Sequence, residues 1–399
     1  MIDFLKYRIF NPITSTEKYE KSVALMERYC EKIGEILDSE AYNRFITLKK
    51  YIESGQCKKD IDVVKNQKFK DSSEYHLEKK LQQHKKSKRV KDFLTKGENQ
   101  DSIEVVEYLK TKQICDSAEF KEKKAYLCDN TKHKTCIAYK DNEDYNYLKK
   151  SADIKELPKL QKKCKKYVEE ISKWKLTFGD DFESVILEKK WITQPATALR
   201  YLKNSYSQLG DLQYLSDGKN INVTNSILQI VTRSEQADGY LWTKTHGFVP
   251  ANFSYTSGMI SSATKFMQSY GKIEAKVKMP KTIGTYHAFY LGCEQMLPFI
   301  NVFCVSNGKV RIGADNGIQN LTKKLAIPLK NDFYIVGIEW NESEIIWTIN
   351  GKKVFSTSIR INEQLHLVFL SGVKKEQNAS TLPIAFDIDW VKCYKYKNK

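Results

Sequence analysis

Between Tyr270 and Met279 the chain alternates without a break: Ile273, Ala275, Val277 and Met279 fall on one side, Lys272, Glu274, Lys276 and Lys278 on the other. Successive side chains on a strand point to opposite faces, so this pattern predicts a β-strand with one buried and one wet side. Glu344–Ile349 and Lys352–Phe355 flank Asn350-Gly351. Asn-Gly tolerates the two positive φ angles of a type I′ turn, which predicts a hairpin. A second such pair, Asn307-Gly308, joins Ile300–Ser306 to Lys309–Ala314. Strand signals of this kind run through residues 174–399 and predict a two-sheet antiparallel sandwich.

Residues 1–173 follow a different grammar. Apolar residues recur at helical spacing, as in Tyr42, Phe45, Ile46 and Leu48, or Tyr145, Leu148, Ile154 and Leu157. Ser117-Ala118-Glu119-Phe120-Lys121-Glu122 returns as Ser151-Ala152-Asp153-Ile154-Lys155-Glu156, with looser copies at Asp38–Tyr42 and Asp71–Tyr75. A serine followed by acids suits a helix start: the hydroxyl accepts an orphan N–H and the carboxylates face the positive end of the dipole. Stacked helical hairpins and an irregular helical bundle both fit. No chemistry shows in this half; His76, His84 and His133 stand singly among lysines.

Composition sharpens the division. Residues 1–173 carry 39 basic and 30 acidic side chains, against 27 and 19 in residues 174–399. The expected organisation is a Lys-rich helical domain over 1–173 followed by a β domain over 174–399. At 399 residues the chain is long enough for a core in each. No apolar run reaches the roughly 18–20 residues needed to cross a membrane. The formal charge is +17, yet of 66 basic residues eight are arginine and 58 lysine. Specific readers of bases and phosphates lean on arginine, so the surplus argues for solvated helix faces, or a protein partner docking on the helices, rather than nucleic acid. The nine cysteines form no CxxC pair, and Met1–Lys6 lacks the layout of a secretory signal. Free thiols in a reducing, cytoplasmic or virion-type setting are the expectation. No motif calls for a cofactor or a metal.

Four blocks of the second half, in order, resemble glycoside hydrolase family 16, the laminarinases, lichenases, agarases and their relatives. They are Phe178-Gly179-Asp180-Asp181-Phe182-Glu183 with Trp191; Tyr255–Ser262 with the Tyr270–Met279 strand and Pro280-Lys281; Phe333–Trp340 with the Asn350-Gly351 hairpin; and Phe386–Tyr394. The resemblance covers about 175–397 and implies a concanavalin-A-like β-jelly-roll with a sheet that forms a cleft for a polysaccharide. It implies no calcium ligand set that this sequence repeats.

Family members cleave with retention, using a nucleophile, an assisting aspartate and an acid in the pattern Glu-x-Asp-x-x-Glu or Glu-x-Asp-x-Glu on one strand. Residues two apart on a strand share a face, and retaining chemistry wants the carboxyls about 5–5.5 Å apart. Here the corresponding run is Phe299-Ile300-Asn301-Val302-Phe303-Cys304. Phe299 takes the nucleophile position, Asn301 the assisting one, and Cys304, or Phe303 in the shorter pattern, that of the acid. From Gln295 to Ala314 there is no Asp or Glu, so no register of this strand restores a carboxylate. Glu294 and Asp315 lie just outside.

Where the family shows a Trp-Pro-Ala-Phe-Trp-like run, this chain has Tyr286-His287-Ala288-Phe289-Tyr290. Phe289 reads as core. Tyr286, His287, Tyr290 and Asn301, with Trp242 from a preceding segment, are the candidate sugar contacts, since tyrosine rings can stack on a pyranose and hydrogen-bond its rim. Three functions stay open at this point. One is a non-catalytic glycan-binding module carried by helices; a second is a structural or assembly protein of a virion or surface complex that uses the jelly-roll as scaffold. The third is a hydrolase with relocated carboxylates. An open, aromatic-lined cleft favours the first; a cleft plugged by Phe299 and Phe303 favours the second.

Overall fold

A computed structural model describes residues 13, 15–184, 187–327, 330–376 and 381–397. Met1–Lys6, read above for a signal, lies outside the described residues. Helix gives way to strand at Trp174, but the compact units divide elsewhere. One comprises Arg28–Cys164; the other joins the described residues up to Glu27 to those from Lys165 onward. The boundary expected at 173/174 therefore marks the change of secondary structure, while nearby helical turns group with the sandwich.

The Arg28–Cys164 unit is helical. Ser39, Ser72 and Ser117 precede the helices Glu40–Glu53, Ser73–His84 and Ala118–Cys128. Each hydroxyl accepts the N–H three residues ahead at 3.2 Å and donates to the carbonyl three residues back at 2.7 Å. One side chain thus closes the end of one element and the start of the next. Stacked repeats touch only their neighbours. Here Arg44 reaches Asp141 and Asp144 at 2.5 and 3.0 Å, Phe45 stacks on Tyr145, and Ile36 packs on Leu157 and Leu160. These long-range pairs make the unit an irregular bundle.

The second unit is built on seventeen strands among the described residues. In chain order these are β1 (Trp174–Asp180), β2 (Ser207–Gln208), β3 (Gln213–Leu215), β4 (Ile221–Thr224), β5 (Ile227–Thr243), β6 (Gly247–Ser257), β7 (Met259–Ser261) and β8 (Gly271–Lys278). There follow β9 (Thr285–Gly292), β10 (Phe299–Ser306), β11 (Lys309–Asp315), β12 (Asn320–Leu325), β13 (Phe333–Trp340), β14 (Ile345–Ile349), β15 (Lys352–Thr357), β16 (His366–Val373) and β17 (Ile384–Tyr396). A six-stranded sheet runs β12-β11-β10-β9-β16-β7. An eleven-stranded one runs β15-β14-β13-β8-β17-β5-β6-β3, with β1 on β17 and β2 and β4 on β5. Pairing is antiparallel except for β2 on β5 and β3 on β6. The result is a two-sheet sandwich of jelly-roll type.

Both Asn-Gly pairs turn as expected, with positive φ at Asn307, Gly308, Asn350 and Gly351. Ile273, Ala275 and Val277 of β8 enter the inter-sheet core with Phe289, Phe303, Phe369, Phe386 and Trp347. The opposite side of β8, expected to be wet, is largely covered. Glu274 is 8% exposed and pairs with Lys272 at 2.9 Å, and Lys276 lies between Glu20 and Asp389 at 2.8 and 2.9 Å. Glu20 belongs to the helix Thr16–Asp38, whose first residue, Thr16, also donates to the Phe333 carbonyl. The Phe178–Glu183 block and Trp191 form a latch: Asp180 accepts the Trp191 indole N–H at 2.6 Å and the Phe182 amide at 3.2 Å.

Candidate functional site

Strand β10 carries Phe299, Asn301 and Cys304, and a bulge arranges them. Asn301 pairs with Tyr290 of β9, but the next pair is Phe303 with Phe289, leaving Val302 as an extra residue. Val302 and Phe303 both enter the core, together with Ile300 and Val305. Phe299, Asn301 and Cys304, each half-buried, are left on the outer face of the six-stranded sheet. The bulge therefore selects the longer spacing, and Phe303 cannot plug the outer face because its ring lies between the sheets.

The bulge also turns the backbone carbonyl of Asn301 inward, where the Trp347 indole of the opposite sheet donates to it at 3.0 Å. The Asn301 side chain donates to the Arg311 carbonyl at 3.3 Å. Burial pushes the Cys304 thiol up to about 11, although nearby Arg311 and Lys374 pull the other way. At neutral pH it is a neutral thiol.

On β9, Tyr286 and Tyr290 share the outer face, and His287 does not. His287 is 0% exposed, packs against Phe386 of the opposite sheet and shares a 2.8 Å hydrogen bond between Nδ1 and the Ser371 hydroxyl. Burial lowers its pKa to about 3, so it is a neutral core histidine and not a sugar contact. Tyr286 is 9% exposed. Its hydroxyl donates to Asp211 at 3.0 Å and accepts from Gln213 at 3.4 Å, while Lys374, ion-paired to Asp211 at 2.5 Å, lies over its ring. Burial, then Asp211, hold its pKa well above the usual value. That ring is spoken for. Tyr290, across from Asn301 in the strand pair, is half-buried beside a small apolar cluster of Leu215, Met259 and Val368, and burial raises its phenol pKa. Trp242 lies half-buried in the arm where β5 pairs with β6, opposite Phe248, whose ring meets Tyr206 at 4.9 Å.

The segment 211–216 folds over one flank of this face, through Leu212 N–H to the Val373 carbonyl at 3.0 Å and Gln213 accepting from Val373 N–H at 2.7 Å. Asp211, Gln213, Lys374 and Arg311 thereby join the site, none of them among the candidates read from sequence. Of the flanking acids, Asp315 lies directly across from Phe299, its carboxylate accepting from Gly317 N–H at 2.8 Å and from Asn320. Glu294 sits beyond β9, ion-paired to Arg200 at 3.0 Å.

Residues 210–391, which hold this whole face, match the sequence model of the family described as Glycosyl hydrolases family 16. The match covers a little under half of the chain. Among curated relatives of this domain, the Clotting factor G alpha subunit of Tachypleus tridentatus is 25% identical over 202 residues, covering 47% of this chain and 27% of the relative. Endo-1,3-1,4-beta-glycanase EglC of Rhizobium meliloti is 24% identical over 191 residues, covering 43% of this chain and 40% of the relative. The chain thus spans well under half the length of these relatives. Among solved structures, the laminarinase catalytic domain of Thermotoga maritima aligns with 23% identity and a TM-score of 0.46, covering 56% of this chain and 99% of that one. The helical unit lies outside the family match.

Proposed function

We propose that the domain matching family 16 binds a polysaccharide on the outer face of its six-stranded sheet and does not cleave it. The observation that carries this reading is the shared face of Phe299, Asn301 and Cys304 on a bulged β10. They stand where retaining chemistry would need a nucleophile, an assisting acid and a proton donor. Phenylalanine cannot attack an anomeric carbon, asparagine cannot ionise, and a thiol held near pKa 11 is a weak donor to a leaving alkoxide. Loss of nucleophile and acid together removes gains worth several orders of magnitude. The half-buried Tyr290, across from Asn301 in the strand pair, would offer the apolar plane and polar rim that a pyranose uses. The names of the relatives point to β-glucans as the first ligands to try.

Affinity electrophoresis of the full chain through laminarin, lichenan and agarose tests the reading. Retardation is expected in at least one gel, with Tyr290→Ala removing it. Mobility unchanged in all three, and across a wider glycan panel, would instead make the jelly-roll a scaffold within an assembly. Asp315, across from Phe299, favours a second reading in which displaced acids hydrolyse the glycan. Release of reducing sugar that Asp315→Asn or Glu294→Gln abolishes would establish it.

A further inference from the structure

Arg311 stands out on the outer face. It sits directly across from Cys304, on the strand where Val310, Ile312 and Ala314 point to the core. Arg311 is half-buried as a residue and forms no ion pair among the described residues. The side chain facing it across the strand pair, at the position of the family's acid, is a neutral thiol. Lys374 approaches the same thiol from the other flank but is balanced by Asp211 at 2.5 Å. Lys324, across from Arg311 on β12, and Lys309, across from Ser306, are exposed and also lack an ion-pair partner among the described residues. The other end of the face holds Asp315 and Asn320, bonded to each other. The face is therefore polarised: uncompensated positive charge lies beside Cys304 and a satisfied carboxylate beside Phe299.

An arginine without an ion-pair partner on this face leaves its planar fork available for a carboxylate or a sulfate. From this juxtaposition of Arg311 and Cys304 we infer that the glycan held here is acidic, with a carboxylate or sulfate group seated on the Arg311 guanidinium beside Tyr290 and Asn301. The inference rests on the glycan-binding reading and adds the class of ligand. The anion on the sugar supplies the charge that the protein strand no longer carries.

The test compares three forms of one backbone: laminarin, laminarin sulfate and carboxymethyl-laminarin at matched substitution, each immobilised and titrated with the full chain at 150 mM salt, roughly where surface charges more than about 8 Å apart are screened. At least one anionic form is expected to bind about tenfold more tightly than laminarin, the worth of one charge-assisted pair, and the two anionic arms separate sulfate from carboxylate. Arg311→Gln should erase that preference, so that the variant binds the two anionic forms no more tightly than laminarin; Arg311→Lys should keep part of it. Thermal unfolding of both variants checks that the domain stays folded. Lys112→Gln with Lys121→Gln, on the helical unit, should change nothing. Equal binding of all three forms would overturn the inference while leaving the glycan reading intact. A preference that survives Arg311→Gln and falls with the helical pair would overturn it too, as diffuse attraction to a +17 chain. No binding to any form would remove the glycan reading itself.

Discussion

The indole N–H of Trp347 donates to the backbone carbonyl of Asn301 across the sandwich at 3.0 Å. This bond satisfies the carbonyl that the β10 bulge takes out of the ladder, and so ties the arrangement of the outer face to the core beneath it. Trp347→Phe leaves that carbonyl buried and unpaired, at a cost of about 1–3 kcal/mol, with a further loss from the smaller ring. Urea unfolding of the full chain, followed by near-UV circular dichroism, should show this destabilisation. The folded variant should also bind glycan more weakly, because Asn301 and Cys304 lose their register. Unchanged stability would mean the bulge is held by its neighbours alone.

His287 makes stability depend on acid. In the unfolded chain its imidazole takes up a proton near the usual 6.5, whereas the folded ring stays neutral until about pH 3. Between those limits the unfolded state binds more protons. The contribution is therefore complete above about pH 6.5 and is lost as the pH falls toward 3, at up to about 1.4 kcal/mol per pH unit. His366, also lowered by burial with Glu294 opposing, acts in the same sense. His287→Gln can still bond Ser371 and should flatten the slope of unfolding free energy between pH 4 and 6.5. An unaltered slope would show that other groups carry it.

Gly372 leaves room for a crossing of side chains on the outer face. A Cβ there would sit 2.6 Å from the Tyr286 ring and 2.7 Å from the Gln213 amide nitrogen. Gln213 is fully buried and held by Val373 N–H, so it has little freedom to retreat. Gly372→Ala should cost about 1–3 kcal/mol and displace Tyr286 from Asp211, visible as a lower Tm. A neutral substitution would show the 211–216 segment to be looser than its hydrogen bonds indicate.

In the helical unit the repeated serine geometry gives a uniform expectation. Ser39→Ala, Ser72→Ala and Ser117→Ala each lose one accepted amide and one donated bond, costing about 1 kcal/mol apiece. Far-UV melting should report the losses one by one and nearly additively, since the three sites share no partner.

Much of this architecture was legible in particular residues. The Asn-Gly pairs named their own turns, and the serines named helix starts. The first turn also fixed what followed: with Asn307 and Gly308 at its corner, Ser306 must face Lys309 and Cys304 must face Arg311. Strand parity likewise sends His287 inward once Tyr286 and Tyr290 point out, because odd and even positions cannot share a face. Other features depended on distant chain. Nothing local in Asp211 or Lys374 foretells that they meet over Tyr286, 163 positions apart. The covering of the charged side of β8 likewise required Glu20, from the first described helix.

Native electrophoresis in a gel cast with laminarin, stained for intact polysaccharide after a long incubation, reads association and cleavage from one band. The account predicts a band slowed by the polysaccharide, with stain undiminished around it. A cleared halo at the position of the band would contradict it.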